Sequence, residues 1–322
     1  MGSFTPPDRT AHYKPALAAF AALACAWIFV LVTLGAFTTS INAGMAFPDW
    51  PLSNGSLNPK GWLSNVSMFA EHSHRLSAGM ETTLALILAI WVWRKEARPW
   101  LRKLAWTAFG VCMGQAVIGG LRVLLNYVQL PAWDTNLGEV IAMLHAWLAQ
   151  ALACVFLAVA VSLTRSWIDQ RRPVSPRVLL WGRICCALLF INLAIAAVMR
   201  HTFAGLAIPY FPFSTIDHHL LPPFWPFKVA IHFAHRVTAM LIFFSAIVYA
   251  LVTWRDPGAS DNMKTAAAGL VSLLLLQICL GATIIWTFRE PFVTTAHVLV
   301  GAITLVSTFW LTWAAHRDRI QT

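Results

Sequence analysis

Eight long apolar stretches decide what this chain can fold into. They run at residues 16–40, 66–93, 104–126, 138–164, 178–200, 228–254, 264–288 and 292–315, and a helix needs roughly 20 mostly apolar residues to cross a hydrocarbon layer. Inside lipid every backbone polar group must be satisfied within its own segment, so stretches of this kind become α-helices. Composition agrees: 58% of the 322 residues are hydrophobic and 11% charged, against roughly 25% charged in water-soluble domains. The expected fold is all-α and integral to a membrane, with eight transmembrane helices. The first stretch is too long for a secretory leader core and no convincing small-residue cleavage site follows it, so it reads as a retained helix.

A net charge of +10 would suggest nucleic acid in a soluble chain, but in a membrane protein the position of the basic residues is what matters. Arg9, Lys14, Arg94, Lys95, Arg98, Arg102, Lys103, Arg165, Arg171, Arg172, Arg177, Arg255, Lys264, Arg317 and Arg319 all fall on one side. The opposite connections carry Lys60, Lys228 and Arg289, with Arg122 and Arg200 at helix ends. The expectation is that both termini are cytoplasmic and that nucleic acid is no partner. Trp62, Trp133, Trp225 and Trp286 mark the outer interface and Trp91, Trp93, Trp254 and Trp313 the inner one. The six cysteines, Cys25, Cys112, Cys154, Cys185, Cys186 and Cys279, lie in the spans and read as small core residues.

The chain repeats itself. Ala43-Gly-Met-Ala-Phe-Pro-Asp-Trp-Pro-Leu-Ser53 matches Ala204-Gly-Leu-Ala-Ile-Pro-Tyr-Phe-Pro-Phe-Ser214 at an offset of 205 − 44 = 161. The same offset carries His74-Arg75 onto His235-Arg236, while Gln115 and Gly119 match Gln277 and Gly281, and His145 matches His297. Each unit contains an even number of spans, so the halves share one orientation and are expected to be two four-helix bundles related by a pseudo-twofold axis along the membrane normal. The expected divisions are a cytoplasmic tail at 1–15, a first half at 16–164, a cytoplasmic linker at 165–177, a second half at 178–315 and a tail at 316–322.

The repeat places four histidines at one depth. His74, His145, His235 and His297 lie 5–8 residues inside the outer ends of their spans, roughly 8–12 Å deep at ~1.5 Å per residue. A lone intramembrane histidine is most simply a packed core residue. Two per half, on helices entering from one face, are what a four-helix bundle offers to the two axial positions of a haem. Zinc or copper fits less well, because no matched cysteine or carboxylate completes a tetrahedral shell in both halves.

Glu71 shares a helix face with His74, and the repeat puts His232 in the equivalent place before His235. An acid at membrane depth is costly and marks function, so one half has a proton acceptor where the other has an imidazole; the plain alternative is that Glu71 only bonds a backbone group. Arg75 and Arg236 follow the histidines and either pair with haem propionates or snorkel. Glu81, seven residues beyond His74, is an unusual mid-span acid without an assigned role. His72 falls off this face, His218 and His219 belong to an outer loop, and His12 and His316 are terminal.

In Ala43-Gly-Met-Ala-Phe-Pro-Asp-Trp-Pro51, Glu71-His-Ser-His-Arg75, Arg200-His-Thr-Phe-Ala-Gly-Leu-Ala-Ile-Pro209, His235-Arg236 and the single histidines of the fourth and eighth spans, the chain resembles the haem A synthase family over nearly its whole length. That family oxidises the C8 methyl of haem O to a formyl group during cytochrome oxidase assembly. The resemblance implies that His235 and His297, with Arg236 beside them, hold a resident haem b, that His74, His145 and Arg75 face the substrate haem O, and that Glu71 is the essential catalytic glutamate. It also implies a bacterial inner-membrane protein with its haem sites toward the outer face. The partners implied are membrane lipid, a haem O synthase that supplies the substrate, an external electron acceptor and a second copy in a homo-oligomer. Many relatives carry a cysteine pair in the first outer loop near residues 46–53; this chain has none there.

No dinucleotide fingerprint, flavin motif or two-histidine-one-carboxylate set supplies an oxidant, which leaves haem to do so. Two rival readings remain at this stage: a non-catalytic di-haem b electron carrier, and a haem-binding transporter or chaperone. Both would give the halves no reason to differ at Glu71 and His232.

Overall fold

The computed structural model describes residues 13–169 and 173–320. Residues 1–12, 170–172 and 321–322, with Arg9, His12, Arg171 and Arg172 among them, and the Trp133 side chain lie outside the described residues. Among the described residues ten α-helices follow in order: α1 Pro15–Ser40, α2 Val66–Lys95, α3 Pro99–Leu124, α4 Leu137–Ser162, α5 Arg165–Asp169, α6 Pro176–His201, α7 Phe227–Trp254, α8 Asp261–Trp286, α9 Pro291–Ala315 and α10 Arg317–Ile320. Between α3 and α4 a two-stranded antiparallel ribbon, β1 Gln129–Leu130 and β2 Thr135–Asn136, pairs Gln129 with Asn136. Among the described residues, eight helices are long and apolar enough to cross a membrane. The protein is an integral membrane protein.

Local chemistry sets the helix starts. Proline at the first turn opens α1, α3, α6 and α9, where its fixed φ suits the helix and its missing N–H has no intrahelical acceptor to lose. Asn65, Asn136 and Ser260 cap α2, α4 and α8 by accepting the amides of Met68, Glu139 and Met263. Helix α3 begins at Pro99 rather than at the expected 104, because Arg102 and Lys103 belong to its first turns although they are too polar to count as a span. The region 165–177, expected as a linker, opens instead with α5, and its buried Trp167 stacks on Trp313 with ring centroids 6.0 Å apart. Arg317 of α10, expected in a tail, is buried and donates to the Trp167 and Ile168 carbonyls.

Each half closes on itself. Helices α1, α2, α3 and α4 pack in cyclic order with α1 returning onto α4, and α6, α7, α8 and α9 do the same with α6 returning onto α9. The halves meet where α1 packs on α9 and where α4 packs on both α6 and α9. Bonds cross this seam at several levels: Trp147 donates to the Phe190 carbonyl at 3.0 Å, and Arg200 donates to the Ala36 carbonyl at 2.6 Å and to Ser40 Oγ at 2.9 Å.

The packed apolar core occupies only part of each bundle. In the first half it is built from Leu17 to Ile28 of α1, Ala85 to Val92 of α2, Leu101 to Cys112 of α3 and Leu152 to Leu163 across the end of α4. In the second it comes from Val178 to Leu189, Ile242 to Tyr249, Met263 to Leu274 and Leu305 to Leu311. All these segments lie toward the side where the basic turns collect. The opposite portion of each bundle, where α2, α4, α7 and α9 begin, holds the histidines.

Candidate functional site

His74 on α2 and His145 on α4 occupy diagonal helices of the first bundle, and His235 on α7 and His297 on α9 occupy those of the second. All four rings are half-buried. The His235 and His297 ring centroids are 6.4 Å apart with planes inclined by 68°, too far for the rings to touch and close enough for one atom to bond a nitrogen of each. Glycines make room for the rings. A Cβ added at Gly35 would lie 2.8 Å from His74 Cε1, one at Gly119 3.1 Å from His145 Cε1, and one at Gly281 3.4 Å from His297 Cε1. The matched glutamines hold the backbone behind the rings: Gln115 donates to the His145 carbonyl at 3.2 Å and Gln277 to the His297 carbonyl at 2.9 Å.

The Nδ1 atom of each ring is enclosed without a partner in good hydrogen-bond geometry, although backbone groups of Leu31, Gln115, Asn192 and Gln277 lie near His74, His145, His235 and His297. An enclosed polar atom left alone costs about 1–3 kcal/mol, and natural cores seldom tolerate four at matched places. Among the described residues no group of three or more His, Cys, Asp or Glu converges as a metal site. Paired imidazoles above a bundle that is packed only on its far side fit a flat macrocycle ligated from both faces.

Over each pair the outer loop is tied down by a duplicated network. Arg75 donates through Nη1 to the Asp49 carbonyl at 2.7 Å and the Leu52 carbonyl at 2.6 Å, and through Nη2 to the Phe47 carbonyl at 3.2 Å and Glu71 Oε1 at 2.5 Å. Arg236 donates to the carbonyls of Tyr210, Phe213 and Ile208 at 2.8, 3.2 and 3.0 Å, each 161 residues on from its counterpart, and its Nε approaches His232 Nε2 at 3.2 Å. Glu71 Oε2 accepts the Phe47 amide at 3.1 Å, and His232 Nδ1 accepts the Ile208 amide at 3.2 Å. Both terminal nitrogens of Arg75 and Arg236 are therefore committed to loop carbonyls. In the first loop Asp49 also accepts the Asn54 and Gly55 amides at 2.7 Å. Burial opposes ionisation there, but these amides hold its carboxyl below the usual carboxylate range.

Other charged groups reach the site without having been legible in the sequence. The guanidinium of Arg122 lies against Gly44, where an added Cβ would fall 2.7 Å from Nη2. Its side chain makes no hydrogen bond among the described residues, although it is within electrostatic reach of Glu139 and Glu71. In the second half Arg289 approaches Gly205, the mate of Gly44, with its Cδ 3.9 Å from a built Cβ. His201 Nδ1 meets Glu139 Oε2 at 2.8 Å and so joins the end of α6 to the start of α4 across the seam. A repeat offset could not reveal these pairs, since Arg289 is 289 − 122 = 167 residues from Arg122 rather than 161.

The remaining candidates separate. His72 bonds Ser53 Oγ at 3.0 Å and packs edge-on against Trp62. His218 and His219 are exposed in the loop before α7, and His316 bonds the Thr312 carbonyl. The six cysteines are free; Cys279 faces outward while Cys25, Cys112, Cys154 and Cys185 are buried. Glu81 is fully buried and neither carboxyl oxygen has a partner.

The chain is similar to known proteins. The chain is 26% identical over 289 residues to a haem A synthase of Lysinibacillus sphaericus, covering 87% of this chain and 89% of that protein. It is 25% identical over 308 residues to a haem A synthase of Halalkalibacterium halodurans, covering 93% and 97%, and 27% identical over 279 residues to one of Geobacillus kaustophilus, covering 84% and 82%. The model of the cytochrome oxidase assembly protein family matches residues 18–309, from the first membrane helix into the last, and the chain belongs to that family.

Proposed function

We propose that this protein is a haem A synthase, an oxidoreductase that converts the C8 methyl of haem O to the formyl of haem A for cytochrome oxidase. The observation that carries this reading is that the two matched networks place a carboxylate, Glu71, at a node in one half where the other has an imidazole, His232. Two sites of one purpose would have no use for a carboxylate in only one of them.

In this reading His235 and His297 hold a resident haem b, and His74 and His145 receive haem O. Haem b held by His235 and His297 would supply one-electron redox chemistry. Converting the methyl to the formyl removes four electrons and adds one oxygen atom; with an external acceptor taking the electrons, water would supply the oxygen, and Glu71 is placed to take protons released at the carbon. Arg75 and Arg236 hold the loops over the chambers, and Arg122 and Arg289, whose side chains make no hydrogen bonds among the described residues, pair with the haem propionates at the rim. The division into a substrate half at 16–164 and a resident-haem half at 178–315, the inner-membrane location with the basic side cytoplasmic, and supply of haem O by its synthase belong to the same proposal.

One observation favours the di-haem electron carrier instead: Glu71 and His232 do the same structural task of anchoring a loop amide. Extraction and chromatography of haems from cells supplied with haem O separates the two. Haem A should appear only when this protein is expressed; unmodified haem in every sample would establish the carrier.

A further inference from the structure

Glu81 is the buried acid for which neither the loop network nor the histidine pair has a use. It lies at positions i+7 from His74 and i+4 from Ser77, so the three share the face of α2 that looks into the first bundle. At ~1.5 Å per residue it sits roughly 10 Å beyond His74 toward the packed side. It is one helical turn short of Ala85, where the apolar core of this bundle begins on α2. The thiols of Cys25 on α1 and Cys112 on α3 are within electrostatic reach of it. Glu81 is thus on the floor of the histidine chamber, fully buried, with both oxygens lacking a partner; the Ser77 hydroxyl above it is likewise enclosed and unpartnered.

The second half provides an internal control. At 81 + 161 = 242 it has Ile242, which is buried and belongs to the apolar core there. At 77 + 161 = 238 it has Thr238, so a hydroxyl is kept in both halves and the acid in only one. The two chambers differ at the mouth, Glu71 against His232, and at the floor, Glu81 against Ile242.

The difference at the floor corresponds to a chemical difference between two haems. Haem B carries a vinyl group at one ring position where haem O carries a hydroxyethylfarnesyl arm, with a hydroxyl on the carbon next to the ring. On the macrocycle the C8 methyl shares a pyrrole with one propionate, and the arm is on the next pyrrole, along the edge opposite the two propionates. If the propionates point to the mouth, where Arg122 and Arg289 lie, the arm's hydroxyl is directed toward the floor. We infer that Glu81 is the hydrogen-bond partner of the haem O hydroxyl, and that it makes the first chamber select haem O over haem B. Ile242 correspondingly suits the second chamber to the vinyl of haem B. This rests on the proposed function, since it assumes that the first chamber receives haem O.

The test is binding rather than turnover. Full-length protein carrying its resident haem is titrated with haem B, haem O and a haem B analogue in which that vinyl is replaced by 1-hydroxyethyl with no farnesyl chain, and the His74-dependent absorption change gives each affinity. The hydroxyethyl analogue should bind about tenfold or more tightly than haem B, the range expected when a buried polar group is left unpaired by the wrong ligand. Glu81→Ile should remove that preference by weakening the hydroxylated haems alone, and Glu81→Gln, which keeps a hydrogen-bonding group, should retain most of it. Equal affinity of the analogue and haem B for the unaltered protein overturns the inference without any variant that must fold, as does a preference undiminished in Glu81→Ile. If haem O produces no His74-dependent change, the first chamber is not the substrate site and the proposed function fails with it. If haem O binds and is oxidised while its hydroxyl makes no difference, only the role of Glu81 fails.

Discussion

Glu71 and His232 stand 161 residues apart at the same node of a duplicated network: the carboxylate accepts the Phe47 amide at 3.1 Å and the imidazole accepts the Ile208 amide at 3.2 Å. Glu71 is also bonded by Arg75, the arginine four residues on, and His232 is approached by Arg236 in the same way. The structural task is therefore common to both residues, and the ability to take up a proton as a carboxylate is what distinguishes the first half.

Glu71→Gln separates those two properties. The amide oxygen can still accept from Phe47, so the loop and the bound haem content should persist, while loss of the general base should lower haem O oxidation by about 10²–10⁴-fold. Cells with this variant should accumulate haem O or its hydroxymethyl form, read by chromatography of extracted haems. An unaltered rate would show that Glu71 only anchors the loop.

Either axial histidine of the second chamber should be indispensable for the resident haem. His235→Ala and His297→Ala each leave iron with one protein ligand, and the low-spin spectrum of purified protein should disappear in both. A normal spectrum in both would place the resident haem elsewhere.

The glycines beside the rings predict a graded response that the ligands themselves do not. Gly35→Ala introduces a Cβ 2.8 Å from His74 Cε1, inside the limit of real contacts, whereas at Gly281 the corresponding distance to His297 is 3.4 Å. Gly35→Ala should weaken haem O binding about tenfold or more and leave the resident haem spectrum unchanged. Gly281→Ala should alter that spectrum little. Equal effects of the two would mean that the rings move freely in their chambers.

Orientation follows from the basic turns. A reporter fused after Pro173 should read as cytoplasmic, and one inserted at Asn54 or Asp217 as external. The inverse pattern would put the histidine chambers on the cytoplasmic side and exclude an outward electron acceptor.

Hydropathy and the repeat, both properties of the linear chain, determined the eight spans and the common level of His74, His145, His235 and His297. The reason is that helix rise and periodicity are local: once a stretch must be helical, sequence spacing converts directly to depth and face. The same rule put Glu71 opposite His232 in the comparison of halves and Glu81 on the His74 face. Tertiary structure alone decided what these groups touch. Arg75 and Arg236 read as partners for propionates, yet their terminal nitrogens go to loop carbonyls, because each loop folds back over its own bundle and presents those carbonyls to them. Arg122 and Arg289 reach matched glycines from places that share no sequence offset, and His201 meets Glu139 only because α6 packs on α4. Contacts of that kind depend on how separate helices dock, which the 3.6-residue period of any one of them leaves open.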